Sequence, residues 1–112
     1  MSVAATRPVI VSHQAQRDID EAALHYATEA GEAVALRFAD TLAAAFGLMG
    51  RQPGIGSPRY AHELHMPGLR SWTLKGFPYV LLYMEQPDAI DVWRVLHGSR
   101  DIPAWLQDAD ST

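Results

Sequence analysis

The chain has 112 residues, of which 48% are hydrophobic and 20% charged, with a formal net charge of −4. This length suits one domain with its own core, and this hydrophobic content argues against intrinsic disorder. The absence of cysteine excludes a disulfide framework, a thiolate metal site and a cysteine nucleophile. The acidic balance argues against polyanion binding, so we expect no direct sequence-specific DNA binding.

The sequence predicts a cytoplasmic protein with no membrane association. The opening MSVAATRPVIVSHQ lacks the apolar core of a signal peptide, and no stretch reaches the roughly 18 apolar residues of a membrane span. Residues 51–100 are mildly basic, with six cations and four acids. Eight of the nine cations in the chain are arginine, whose forked guanidinium suits carboxylate or phosphate.

The first half of the chain predicts a strand followed by two helices. The run RPVIVS at 7–12 is β-branched, and Pro8 favours an edge position for the strand. Ser12 is a suitable helix N-cap, and apolar residues at helical spacing predict helices at 12–30 and 32–50. Both helices are rich in alanine, which allows their axes to approach closely as an αα-hairpin.

The second half predicts three antiparallel strands. After the loop RQPGIGSPRY, strands are predicted at 69–74, 79–85 and 89–97, separated by the turns KGFP and QPD. The last two strands are apolar on both faces, so they should lie centrally and be covered on both sides. The sequence therefore predicts an α+β fold in the order β-α-α-β-β-β, with one more short helix in the tail IPAWLQDADST.

This ordered set of segments resembles the ParE/RelE toxin superfamily of bacterial toxin–antitoxin systems. The resemblance covers about residues 8–106 and rests on DIDEAALHYA, QPGIG, GLRSWTLKGFPYVLLYME and above all WRVLHGSRDIP, which is most similar to the ParE branch. It implies one RelE/ParE-like domain over 1–112, with a helical hairpin packed on a small antiparallel sheet. It also implies a ParD-like antitoxin as partner, no cofactor, and DNA gyrase as the target.

Three functional hypotheses follow from this resemblance. The first is a toxin that inhibits DNA gyrase by binding, which the acidic charge and Gly98 after His97 favour. The second is a ribosome-dependent mRNA endoribonuclease of the RelE type, with His97 as acid or base and Arg94 or Arg70 stabilising the phosphate. The third is an inactive toxin-like module that only binds an antitoxin.

Arg94 lies among apolar residues of the last predicted strand. Simple alternation places it on one face with Ile90, Val92 and Leu96, and places Trp93 and Val95 on the other. Because an unpaired buried guanidinium is costly, Arg94 needs a carboxylate or an open face that meets a partner. The internal carboxylates considered are Asp91, Glu85 and Asp101.

If that face is open, cationic and aromatic side chains from neighbouring strands should form a partner-binding surface with Arg94. The predicted partner-binding residues are Arg70, Trp72, Lys75, Tyr83, Arg94, His97 and Arg100. We expect the antitoxin to contact the outer surface of the helical hairpin and the rim of the sheet. His62 and His65 in HELH lack a third ligand, so they do not predict a metal site.

Overall fold

The computed structural model describes residues 6–98 and follows the predicted order of elements. The helices are α1 (His13–Glu29), α2 (Glu32–Arg51) and α3 (Arg59–Glu63), and the strands are β1 (Val9–Val11), β2 (Leu69–Thr73), β3 (Tyr79–Glu85) and β4 (Ile90–His97). The predicted α+β class and helical hairpin are confirmed. Helix α3 and a 3-10 turn at Pro53–Ile55 lie in the segment that was predicted as loop. The predicted tail helix lies outside the described residues.

Within residues 6–98 the four strands form one mixed sheet in the order β1-β4-β3-β2. Strands β2, β3 and β4 pair antiparallel, which confirms the predicted meander. Strand β1 pairs with β4 in parallel, because the helical hairpin carries the chain back to the end of the sheet where β1 begins. The sheet is therefore mixed: three of its strands are antiparallel, as predicted, and β1 adds a parallel pair that the sequence did not indicate.

The sheet is covered on both faces, as the apolar pattern of β3 and β4 predicts. On one face the hairpin buries Ala15, Ala22, Phe38, Leu42, Ala45 and Met49 against Leu74, Leu81, Tyr83, Ile90, Val92 and Val95. On the other face Leu69, Val80, Leu82 and Leu96 are buried beneath Tyr60, Ala61, Leu64 and Met66. The segment around α3 is therefore the second cover, and the fold leaves neither face of the central strands open.

A β-bulge in β4 changes which residues share a face. Leu82 pairs with Arg94, whereas the next residue, Tyr83, pairs with Val92, so Trp93 is an extra residue in β4. An extra residue of this kind interrupts the alternation of side chains along its strand.

The bulge overturns the predicted grouping of side chains around Arg94. Val92 and Val95 both belong to the core under the hairpin, whereas Trp93 and Leu96 pack in the core on the α3 side. The prediction that Arg94 shares a face with Ile90, Val92 and Leu96, opposite Trp93 and Val95, is therefore wrong. A strict period of two cannot hold across an inserted residue.

Helix α2 is long and apolar enough to cross a membrane by length and composition alone. It has 20 residues, and its mean hydropathy reaches 1.4 over 18 of them. In the fold it packs as a core helix, with Phe38, Leu42 and Met49 buried against the sheet. Core helices pass the same test of length and composition, so this finding is only a weak indication of a membrane span.

Ser12 caps α1 and joins it to β4, so it provides a direct test of this packing. Its Oγ accepts a hydrogen bond from the Ala15 amide at 3.0 Å and donates to the Trp93 carbonyl at 2.8 Å. Removing an N-cap hydroxyl costs about 0.5–2 kcal/mol. We expect Ser12→Ala to lower the free energy of unfolding by about 1–2 kcal/mol in urea titrations. Ser12→Thr, which keeps a hydroxyl, is the control, and equal midpoints for both variants would contradict this role.

Candidate functional site

Arg94 is held by a carboxylate inside the protein. Its Nε donates to Asp18 Oδ2 at 2.8 Å and its Nη2 donates to Asp18 Oδ1 at 2.9 Å, a two-pronged ion pair. Arg94 is only 8% exposed. Of the two readings open at the sequence level, the structure supports the internal partner, but the carboxylate lies on α1. Asp91 and Glu85 do not fill this role, and Asp101 lies outside the described residues.

The position of Asp18 follows from the short first strand. Strand β1 pairs with β4 only as far as Val92, so among residues 6–98 the rest of β4 has no strand on that side. Helix α1 lies there, and Asp18 Oδ2 also accepts the Val95 amide at 3.0 Å. One carboxylate thus pairs a guanidinium and satisfies a backbone donor of the sheet.

Tyr83 and Arg70 hold the QPGIG loop against the sheet. Tyr83 is fully buried; its hydroxyl accepts from the Gly56 amide and donates to the Pro53 carbonyl, each at 2.8 Å. Arg70 Nη1 donates to the carbonyls of Gly56 at 2.8 Å and Gly54 at 3.3 Å. Burial raises the pKa of Tyr83, so the hydroxyl keeps the proton that it donates. Tyr83 therefore belongs to the core and not to a partner surface.

Two of the predicted residues, Lys75 and His97, lie together in an open cleft of about 810 Å³. The cleft lies between the helical hairpin and the turn that joins β2 to β3, at the end of the sheet where β4 stops. We call it the hairpin cleft. Its lining consists of His25, Tyr26, Val34, Arg37, Asp40, Thr41, Lys75, Gly76, Phe77, Pro78, Tyr79 and His97.

Aromatic rings form the floor of the hairpin cleft. The ring of Tyr26 lies 5.2 Å from both Phe38 and Phe77 and 6.2 Å from Tyr79, measured between centroids. His97 packs edge-on against Tyr79 at 5.3 Å. Because each ring is fixed by its neighbours, the floor is a rigid, partly apolar platform of the kind that anchors binding partners.

Charged side chains surround this aromatic floor. Arg37 and Lys75 are exposed cations, His25 is also exposed, and Asp40 is the acidic residue of the lining. The arrangement suits a ligand with an apolar or aromatic anchor beside carboxylates. Sequence reasoning missed His25 and Arg37, because they lie on the exposed faces of helices and nothing in the local pattern separates them from other surface residues.

The family model for the ParE toxin of the type II toxin-antitoxin system, parDE, matches residues 9–102. The chain belongs to the ParE toxin family. A solved structure described as the chromosomal ParDE TA system from P. aeruginosa superposes with a TM-score of 0.69, at 20% identity, over 83% of this chain and 97% of that chain. At this identity the likeness shows a shared fold. No curated protein matches the chain.

In this ParE toxin the three residues of the ribonuclease hypothesis lie in different surroundings. His97 lines the hairpin cleft, Arg94 pairs with α1, and Arg70 holds the QPGIG loop; neither arginine lines the cleft. The family resemblance drawn from the sequence is confirmed. The predicted contacts of Lys75 and His97 with a partner stay predictions.

The remaining sequence-predicted residues lie elsewhere or outside the described part. Trp72 is half-buried against the core under the hairpin, and Arg100 lies outside the described residues. His62 and His65 border a small surface pocket near α3. Among residues 6–98 no group of three or more His, Cys, Asp or Glu side chains is placed to hold a metal ion.

Proposed function

We infer that this ParE toxin acts in the cytoplasm by binding DNA gyrase, without catalysing a reaction, and that a ParD-like antitoxin neutralises it. The observation that carries this proposal is the separation of His97, Arg94 and Arg70 into three different environments. Membership in the ParE family supports the toxin role. The description of the structural neighbour as a ParDE system supports an antitoxin of the ParD kind.

The geometry argues against phosphoryl transfer by these residues. An acid–base pair and a phosphate-stabilising cation must all lie within about 3 Å of the reacting atoms. Arg94 donates from its Nε and Nη2 to Asp18, and Arg70 donates from its Nη1 to backbone carbonyls. Using either of them on RNA requires breaking contacts that hold the fold, which supports binding over catalysis.

Exposed apolar residues on the hairpin support a protein partner there. Leu24 on α1 is 68% exposed and Leu36 on α2 is 58% exposed. Burial of such side chains by a partner removes apolar surface from water and favours the complex. A standard interface of about 1,600 Å² is large enough to reach both the hairpin and the sheet rim. We therefore place the antitoxin across the outer surface of the hairpin and the cationic rim of the hairpin cleft.

A direct assay distinguishes gyrase from the ribosome as the target of the toxin. Purified toxin should inhibit DNA supercoiling by gyrase, and toxin premixed with its antitoxin should not. Induced expression should produce the DNA-damage response and filamentation before any fall in translation. Message bound to ribosomes should stay intact. If wild-type toxin cleaves ribosome-bound message and His97→Ala abolishes the cleavage, the ribonuclease hypothesis replaces this one.

The antitoxin should stabilise the toxin by mass action. A partner that binds only the folded state adds about 2.7 kcal/mol at 100 times its Kd, so the melting temperature should rise with antitoxin concentration. Leu36→Glu should reduce this rise several-fold while leaving the stability of the lone toxin almost unchanged, because Leu36 is exposed. Asp88→Lys, in the exposed turn after β3, is the control. An unchanged melting temperature on adding antitoxin would contradict the proposed interface.

A further inference from the structure

We propose that two copies of this toxin associate through the outer edge of β1, with the two β1 strands antiparallel and Ile10 on the two-fold axis. The pairing joins the sheets of both copies into one continuous sheet. The dimer presents two hairpin surfaces, so a partner with two binding sites gains avidity. This contact uses β1 and not the hairpin surface assigned above to the antitoxin, and it stands whether or not gyrase is the target.

Strand β1 lies at the edge of the sheet, and half of its backbone groups face away from it. The Ser12 amide donates to the Val92 carbonyl of β4 at 3.0 Å. Because successive residues of a strand turn to opposite sides, Ile10 also directs its N–H and C=O groups to β4, whereas Val9 and Val11 direct theirs outwards. Among residues 6–98 no strand or other element donates to or accepts from these outward groups.

The outward groups of β1 are self-complementary about Ile10. When a second β1 runs antiparallel beside the first with the two Ile10 residues opposite each other, Val9 of each copy lies opposite Val11 of the other. Such residues exchange both of their N–H···O=C bonds, so the two-fold contact uses every outward group of Val9 and Val11. The pairing is closed, because it leaves neither β1 edge open to a third copy.

The side chain of Ile10 ends a cross-strand row that the second copy continues. Ile10 lies beside Asp91 of β4, which lies beside Met84 of β3. At the edge Ile10 has a neighbouring strand on one side only and is 55% exposed. With Met84, Met66 and Trp93 it lines an apolar pocket of about 340 Å³. Across the two-fold axis the two Ile10 residues are about 4.5 Å apart between Cα atoms, so each side chain covers the apolar pocket beside the other.

The charges and the size of this edge suit a weak dimer of identical chains. Strand β1 has no charged residue, and Arg7 just before it pairs with Glu85 of its own chain. The Asp91 residues of the two copies are three strand spacings apart, about 14 Å, which exceeds the screening length of about 8 Å at physiological salt. A contact confined to one short strand and its pocket falls below the roughly 1,200 Å² of a stable interface, so we expect dimer and monomer to exchange.

The mass of the full-length chain in solution tests this pairing. We expect the average mass in sedimentation to rise from one chain to two between about 1 μM and 1 mM, and to stop there. Ile10→Lys places like charges opposite each other and should keep the chain monomeric. The control Leu24→Lys, at an exposed position of α1, should dimerise like the wild type. A wild type that stays monomeric, or that grows beyond two chains, overturns the proposal.

A mixture of two charged variants distinguishes this contact from a loss of folding. Ile10→Glu alone should also be monomeric. An equimolar mixture of Ile10→Glu and Ile10→Lys should recover dimers with one copy of each, because opposite charges then face each other across the axis. Urea unfolding of each variant confirms that it is folded. Two folded variants that form no mixed dimer contradict the pairing at Ile10.

A single cysteine gives a second readout, because the chain has no native cysteine. A Cα separation of about 4.5 Å lies within the range that a disulfide can span. Ile10→Cys should therefore form a disulfide-linked dimer at least about tenfold faster than Leu24→Cys or Leu36→Cys, which are similarly exposed. Equal rates overturn the proposal, and so does a monomeric Ile10→Cys whose thiol only the antitoxin protects. No assay in this set measures gyrase inhibition, so failure here is distinct from failure of the proposed function.

Discussion

Replacing Arg94 with alanine is expected to lower the free energy of unfolding by about 3–5 kcal/mol. The variant leaves Asp18 without its cation in a poorly solvated position, since the side chains of the pair are only 10% and 13% exposed. The Asp18 carboxylate then stays poorly solvated without its guanidinium, with the Val95 amide as its remaining donor among the described contacts. Urea unfolding of the toxin and growth inhibition, measured side by side, should fall together.

Three further variants show whether this loss comes from the ion pair. Asp18→Asn should lower the free energy of unfolding nearly as much as Arg94→Ala does, because it leaves the guanidinium buried without a negative partner. The double variant Arg94→Met with Asp18→Asn should recover a large part of the stability, since it removes both charges and keeps an oxygen acceptor for the Val95 amide. Arg37→Ala, on an exposed position of α2, should change stability by less than about 0.5 kcal/mol. Loss of growth inhibition in Arg94→Ala at unchanged stability would instead show that Arg94 contacts a partner.

Local patterns explain why most of the fold was predictable. The helical stripe through Phe38, Leu42 and Met49 does bury one face of α2, and the two-faced apolar strands do lie at the centre of the sheet. The segment around Tyr60 and Leu64 was assigned to a loop, because two prolines and two glycines before it dominate the pattern. Its apolar side chains are nevertheless the cover of the second core.

The environment of Arg94 was not predictable, for two physical reasons. Its partner Asp18 lies 76 positions away on a helix, and no periodicity links the two. The extra residue Trp93 also reverses the side-chain alternation, and the sequence has no glycine there to mark a bulge. Tyr83 was predicted as a surface aromatic for a related reason. A tyrosine in a strand gives no sign of whether its hydroxyl meets water or, as here, a loop nearly 30 residues away.

Gly56→Ala is the second substitution with a large expected effect. A Cβ at Gly56 would lie 2.6 Å from the Tyr83 hydroxyl oxygen and 2.9 Å from the Ser71 carbonyl oxygen. Neither atom can yield easily, because Tyr83 is fully buried and the Ser71 carbonyl accepts the Ser57 amide at 2.8 Å. The loop must therefore move away from the sheet.

The same loop provides a matched control for this substitution. A Cβ at Gly54 meets nothing within 4 Å, although Gly54 lies only two residues away. Overpacking such as that at Gly56 typically costs about 1–3 kcal/mol, and distortion of the Tyr83 hydrogen bonds adds to this cost. We therefore expect Gly56→Ala to lower the free energy of unfolding by about 3 kcal/mol. Gly54→Ala should change stability by less than about 0.5 kcal/mol.

A double variant identifies the clash that causes the loss. Adding Tyr83→Phe to Gly56→Ala removes the hydroxyl that the new methyl group would meet, so the double variant should be more stable than the sum of the two single losses predicts. It should not recover fully, because the ring carbon Cε1 at 2.8 Å and the Ser71 carbonyl oxygen still crowd the methyl group. Urea unfolding midpoints of the wild type, both single variants and the double variant supply this comparison. Strictly additive losses would show that the loop adapts to the methyl group without displacing the Tyr83 hydroxyl.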